Sequence, residues 1–245
     1  SERLGRTNPS TLWGTRTHQV FKNDGSKRDL AKAETLLAVS ERPSYSQEQV
    51  LMGGLLGDSY VAPDGYLSIT HARRQKGYLL MKQAVFSNLC DTPVRHWVDT
   101  SGGTSRRKCQ FRTRSHRMFS DARQLCYTEE RKTVSQEWLD RIDELGLAIW
   151  FMDDGHVCRQ KNKNTLYINL ATCSFGKAEV EMIRVWLQTR WGIKSSQHRD
   201  EEKYRDRDCG WCIHLSGYSA KHLLDLTAPY APYCMRYKFP APKDG

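Results

Sequence analysis

Two stretches decide how this chain reads: Leu51-Met52-Gly53-Gly54-Leu55-Leu56-Gly57-Asp58-Ser59-Tyr60 and Leu147-Ala148-Ile149-Trp150-Phe151-Met152-Asp153-Asp154-Gly155. Each is an apolar run of helical length that stops on a carboxylate. The C-terminus of a helix is the negative end of its dipole, so an Asp there is unfavourable unless a cation lies nearby. Gly53, Gly54 and Gly57 each weaken a helix by up to about 1 kcal/mol, and what they offer in return is close backbone approach. The two helices are therefore expected to pack side by side, with Asp58 and Asp154 together at one end. Two carboxylates with nearby carbonyls form a hard oxygen site suited to Mg²⁺. Either stretch alone reads equally well as an ordinary helix stop; their recurrence at one point of a repeat argues for a site.

That repeat emerges on working outward. The first copy has a helix from SQEQVLMGGLLGD, with Ser46 as the expected cap. Strand-like DSYVA and YLSITHAR follow, then a helix KGYLLMKQAVFSNL, strands VRHWVDT and KCQFRTRS, and a helix over HRMFSDARQLCY. The second copy opens at Ser135 with one helix expected through WLDRIDELGLAIWFMDD. It continues with HVCRQ, TLYINLAT, the helix KAEVEMIRVWLQTRW, IKSSQHR, WCIHLS and a helix over SAKHLLDL. Both copies read αββαββα. The fold class is α+β, two pseudo-symmetric repeats, with a basic extension over residues 1–44 and repeats at 45–130 and 131–245.

Composition points to a polyanionic partner. Among 245 residues, 38 Lys and Arg face 28 Asp and Glu, a formal charge of +10, and an excess of that size favours nucleic acid. No apolar run approaches the roughly 20 residues of a membrane span, and SERLGRTNPS at the start lacks a secretory apolar segment. An intracellular, non-secreted protein without a membrane partner is expected. The eight cysteines then read as reduced core thiols. The single CxxC, Cys209-Gly-Trp-Cys212, lacks the second pair a structural zinc site wants.

The paired motifs resemble the signature helices of the LAGLIDADG homing endonucleases, in their single-chain two-repeat form and intron-encoded branch. His71 to Leu79 (HARRQKGYL), Arg131-Lys132-Thr133-Val134 and Tyr237-Lys238-Phe239-Pro240 agree with it. The resemblance covers about Gln47 to Pro240. It implies signature helices at the interface of the halves and a curved four-stranded antiparallel sheet per half, presented to the DNA major groove. It also implies divalent metals bound by the last acidic residue of each helix, carried here onto Asp58 and Asp154. Gly57 and Asp153 align with each other as neighbours of that metal site, Asp153 in a supporting or capping role. Lys132 and Lys238 fit the basic residue that each half contributes. The implied activity is metal-dependent double-strand DNA cleavage at a long asymmetric site, leaving short 3′ overhangs. Mg²⁺ is the expected cofactor, with Mn²⁺ or Ca²⁺ able to substitute in binding, and a monomer is expected.

Alternation along strands places every second side chain on a DNA-facing surface. The candidates are Ser68, Thr70, Arg73 and Arg74 from the first hairpin, then Arg95, Lys108, Gln110, Arg112 and Arg114. In the other half they are Arg159, Lys161, Asn169, Lys194, Ser196, His198 and Arg205. Arg and Gln suit guanine and adenine edges, while Lys and Arg near loops suit phosphates. Two alternatives stay open: an intron maturase binding RNA on the same fold, and a catalytically weak DNA-binding regulator.

Overall fold

The computed structural model describes residues 42–101, 103–159, 165–199 and 210–240. Nearly all of the basic extension, with the helix its sequence predicts over Leu30–Val39, and Lys161, Arg205 and Cys209 lie outside the described residues.

Helix α1 (Tyr45–Leu56) is followed by strands β1 (Ser59–Val61) and β2 (Tyr66–Ala72), helix α2 (Lys76–Val85), strands β3 (Arg95–Asp99) and β4 (Arg106–Ser115), and helix α3 (Arg117–Cys126). A small hairpin, β5 (Tyr127–Thr128) and β6 (Arg131–Lys132), leads to the short helix α4 (Gln136–Asp140). Helix α5 (Glu144–Asp154) then opens a second series: β7 (Gly155–Arg159), β8 (Leu166–Leu170), α6 (Lys177–Trp191), β9 (Ser196–Arg199), β10 (Trp211–Ser216) and α7 (Gly217–Thr227). Each series forms a four-stranded antiparallel sheet, in the orders β1-β2-β4-β3 and β7-β8-β10-β9. This is the expected α+β pair of repeats.

Two details differ from expectation. Ser44, not Ser46, caps α1, in a reciprocal box with Gln47. And the helix expected from Ser135 to Asp154 is two helices. Asp143 interrupts it, turning its carboxylate onto the amides of Leu145 and Gly146 as an N-cap.

Helices α1 and α5 are buried on nearly every side. Leu145 through Met152 are all buried, as are Gln49 through Leu56, the mark of helices packed in the middle of a protein. They touch through glycine: a methyl group placed on Gly53 would lie 2.0 Å from the Gly146 carbonyl oxygen. The same crossing stitches the interruption at Asp143. The Gln49 amide donates to the Arg141 carbonyl at 2.9 Å and accepts from the Asp143 amide at 2.9 Å. The Trp138 indole donates to the Met52 carbonyl at 3.2 Å.

Register sorts the sheets into faces. In the first, Leu67, Ile69, Cys109 and Phe111 are buried toward the core. Ser68, Thr70, Lys108, Gln110 and Arg112 take the other face, with Arg95 paired opposite Gln110. In the second, Ile168, Leu170, Ile213 and Leu215 are buried, while Asn169, Ser196, His198 and His214 share the opposite face. Arg73 and Arg74 are exposed, but on a 3₁₀ turn after β2 rather than in the hairpin. Lys194 is exposed just before β9. Arg159 ends β7. The cysteines divide: Cys109 and Cys126 are core thiols, Cys90, Cys158 and Cys173 are partly buried, and Cys234 is exposed. So reduced core thiols describe only some of them.

Candidate active site at the ends of the crossed helices

Helices α1 and α5 end side by side, and their C-terminal residues form one acidic cluster. The Asp58 backbone amide donates to Asp153 Oδ2 at 3.2 Å, across the helix pair. Asp153 is fully buried as a side chain. It accepts further from Lys82 Nζ at 2.6 and 2.8 Å and from the Tyr78 hydroxyl at 3.0 Å. Tyr78 and Lys82 lie one turn apart on α2, so both reach one face. Gly57 is the matching residue of the other helix, and a methyl group there would fall 2.6 Å from Asp153 Cβ. One of the two positions must therefore lack a side chain.

His71, buried at the end of β2, lies between two carboxylates. Its Nδ1 is 3.1 Å from Asp58 Oδ2, and its Nε2 is 3.9 Å from Asp153 Oδ1. Asp58, His71 and Asp153 offer ligand atoms all within 4.8 Å of one another. Asp154 is not in that triad, which departs from the expected Asp58 and Asp154 pair. It is nevertheless close enough to be governed by it: burial, then the charges of Asp153 and Asp58, push its carboxyl up to about 8. Burial alone would raise Asp58 too, but His71 beside it, with the Lys82 and Lys238 charges, holds it below its usual value.

The two predicted lysines answer the dipole problem that a terminal carboxylate poses. Lys132 Nζ donates to the Gly57 carbonyl at 3.2 Å, at the end of α1. Lys238 Nζ donates to the Met152 carbonyl and, at 3.1 Å, to the Asp153 carbonyl, at the end of α5. Each helix thus ends on a partly buried ammonium, favourable at its negative pole. Burial lowers both lysines, against the pull of the aspartates.

The donor set fits a hard divalent cation. Three carboxylates converge, and burial with the charges of Asp153 and Asp58 pushes one of them, Asp154, up to about 8 despite the two lysines. Carboxylate and carbonyl oxygens with one imidazole suit Mg²⁺ or Mn²⁺. Asp58 and Asp154 have the capacity to hold it, whereas the Asp153 oxygens are engaged by Lys82 and Tyr78 and the Gly57 carbonyl by Lys132.

Asp154 has a measurable consequence. Its folded pKa lies above the unfolded value near 3.9, so the folded state binds a proton that the unfolded chain releases. Between those values, stability of the cation-free protein falls as pH rises. Asp154→Asn removes the liability. In EDTA its melting temperature is expected to match wild type near pH 4, exceed it increasingly toward pH 8, and level off above. The full shift is worth at most about 6 kcal/mol, less whatever Asp153 and Asp58 share of it. A constant difference across that range of pH overturns the assignment.

Of the outward-facing candidates, several already have partners. Gln110 donates to Ser68 and Thr70, each at 3.0 Å. Lys108 pairs with Asp99 at 2.6 Å, and Arg114 with Asp91 at 2.8 Å and the Asn88 carbonyl. Arg112 is exposed over the Tyr66 ring. Asn169 Oδ1 is 2.8 Å from His214 Nδ1. Sequence reasoning passes over His71, Tyr78 and Lys82, although the first two lie in the HARRQKGYL stretch. The one local signal was a lysine in the apolar face of α2.

Residues 48–223 match the LAGLIDADG DNA endonuclease family. The chain is 31% identical over 135 residues to a probable intron-encoded DNA endonuclease 3 of Mycosarcoma maydis, covering 53% of this chain and 91% of that protein. It is 26% identical over 201 residues to the cytochrome b mRNA maturase bI2 of Debaryomyces hansenii, covering 78% and 72%. Among solved structures, it resembles the homing endonuclease I-WcaI bound to its DNA recognition sequence, with a TM-score of 0.72 and 22% identity over 95% of this chain and 98% of that one.

Proposed function

The chain belongs to the LAGLIDADG DNA endonuclease family, and from that premise we propose that it is a site-specific, Mg²⁺-dependent homing endonuclease cutting both strands of a long asymmetric target. The observation that carries this reading is the crowding of Asp58, Asp153 and Asp154 at the crossed helix ends, with a partly buried lysine on each.

Asp58 and Asp154 hold the cation. When bound, a divalent ion supplies charge neutralisation at the phosphate and a lowered pKa for water. The remaining work falls to the chain itself. Lys132 and Lys238, fixed by the helix-end carbonyls, stabilise the extra negative charge of the five-coordinate phosphate. Lys82 neutralises Asp153, and Asp153 in turn fixes the backbone at Asp58. The repeats at 45–130 and 131–245 each supply one sheet to the major groove, which admits a two-stranded β-ribbon. Both carboxylates lie in one chain, so a monomer is complete, and short 3′ overhangs follow from paired centres cutting across the minor groove.

On the DNA face, exposed Arg112 and Arg95 make phosphate or guanine contacts, while Arg114 is spent on Asp91 and Asn88. Arg112→Ala is expected to lower the slope of log affinity against log salt by about 1, and Arg114→Ala by clearly less. A salt titration of binding in Ca²⁺ checks the ranking, and equal losses refute it.

The test of the function is Mg²⁺-dependent cleavage of a randomised duplex library. Cut products enriched around one long motif are expected. Binding of intron RNA with no cleavage of any duplex overturns the reading in favour of the maturase alternative, to which the Debaryomyces relative gives some weight.

A further inference from the structure

The two halves can be laid on one another by strand register. Ser59, directly after Asp58, pairs with Ile69 on β2, and Gly155, directly after Asp154, pairs with Leu170 on β8. Two residues beyond each of these pairs stand His71, still within β2, and Thr172, past the end of β8, where its amide donates back to the Leu170 carbonyl. The two match in their offset from the terminal aspartate's strand partner, though only His71 is still paired in the sheet, and both are buried. Their side chains do different things. The His71 imidazole reaches Asp58 at 3.1 Å and faces Asp153 at 3.9 Å. Its ring also lies 5.1 Å from the Tyr78 ring, and Tyr78 is itself held to Asp153. The Thr172 hydroxyl instead donates to the Trp211 carbonyl at 2.8 Å. Asp58 thus has a buried imidazole 3.1 Å away, whereas Thr172, engaged with Trp211, gives Asp154 no such neighbour.

We propose that His71 is a positioning residue for one of the two cleavage centres only, so that the target strands are cut by chemically unequal centres and loss of His71 turns the protein into a nicking enzyme. This rests on the endonuclease reading above. The imidazole fixes the Asp58 carboxylate in the orientation that serves its strand; the Asp154 centre works without such a brace.

The experiment measures single-turnover rates for each strand separately, on an end-labelled target duplex and on a supercoiled plasmid, with wild type, His71→Leu and His71→Asn. His71→Leu is expected to slow one strand about tenfold or more, since a misplacement near 1 Å is worth up to about a hundredfold. The other strand's rate stays within about twofold of wild type, and nicked circle accumulates. His71→Asn, whose amide N–H takes the place of Nδ1, restores most of the slow strand's rate. If His71→Leu does not fold, His71→Gln displaces the donor and carries the same expectation. Equal slowing of both strands, or of neither, in a folded variant overturns the role. Wild type that cuts neither strand overturns the endonuclease reading, and this inference with it.

Discussion

Asp58→Asn and Asp154→Asn are each expected to cut the double-strand cleavage rate by at least about a thousandfold, or about 4 kcal/mol of barrier, while DNA affinity measured in Ca²⁺ stays within a few-fold. The argument is one of charge. An amide keeps the shape of the carboxylate but gives a cation no anionic ligand. Losing a single preorganised electrostatic partner already costs about a hundred- to a thousandfold, and losing the cation's hold removes its contribution to both water and phosphate. Affinity is spared because the outward sheet faces, bearing Arg95, Arg112 and Asn169, are built on other elements. The two variants should part company in stability: only Asp154→Asn relieves a carboxyl pushed up to about 8. Cleavage by Asp154→Asn within tenfold of wild type would remove that residue from the machinery.

Gly53→Ala is expected to be the most damaging single methyl in the fold, at about 4 kcal/mol or more, a large part of a typical total stability of roughly 5–15 kcal/mol. Its Cβ would stand 2.0 Å from the Gly146 carbonyl oxygen and 2.7 Å from that carbonyl carbon. Both are backbone atoms of the facing helix, so the helices must separate. Separation breaks the Gln49 bridge to Arg141 and Asp143 and strains the Trp138 bond to Met52. Gly54→Ala is the control, since its methyl meets the Ser59 hydroxyl at 2.3 Å, the end of a side chain rather than the backbone of the facing helix. Urea unfolding that places Gly53→Ala within 1 kcal/mol of Gly54→Ala, on the scale a methylene costs, would show that the crossing yields.

The order of strands and helices was legible because alternation and apolar runs are local patterns; Asp58 and Asp154 stood out because each closes an apolar helix at the same point of the repeat, while Lys132 and Lys238 came only with the family resemblance. What escaped depends on contacts between distant segments. Ser44 and Ser46 both stand three residues before a glutamine, so either box is plausible locally; Gln49 is taken by the other helix, which leaves Ser44 and Gln47 to make the cap. The interruption at Asp143 is stabilised by that same Gln49 and has only a weak local signal. His71 and Lys82 acquire meaning only when β2 and α2 are set against the end of α5, and the swap of Asp154 for Asp153 in the tight triad turns on which carboxylate faces inward.

The pairing of Gly57 with Asp153 bears on how freely such halves can be recombined. A space that admits one carboxylate and no second Cβ makes the two repeats obligate complements rather than interchangeable modules. Fusing the second repeat to a copy of itself would set two aspartates against each other where one fits. Doubling the first would leave Lys82 and Tyr78 without the anion they enclose. A chimaeric enzyme drawing on the second repeat must therefore take its mate from a sequence with glycine before the terminal aspartate, whatever bases the sheets are chosen to read.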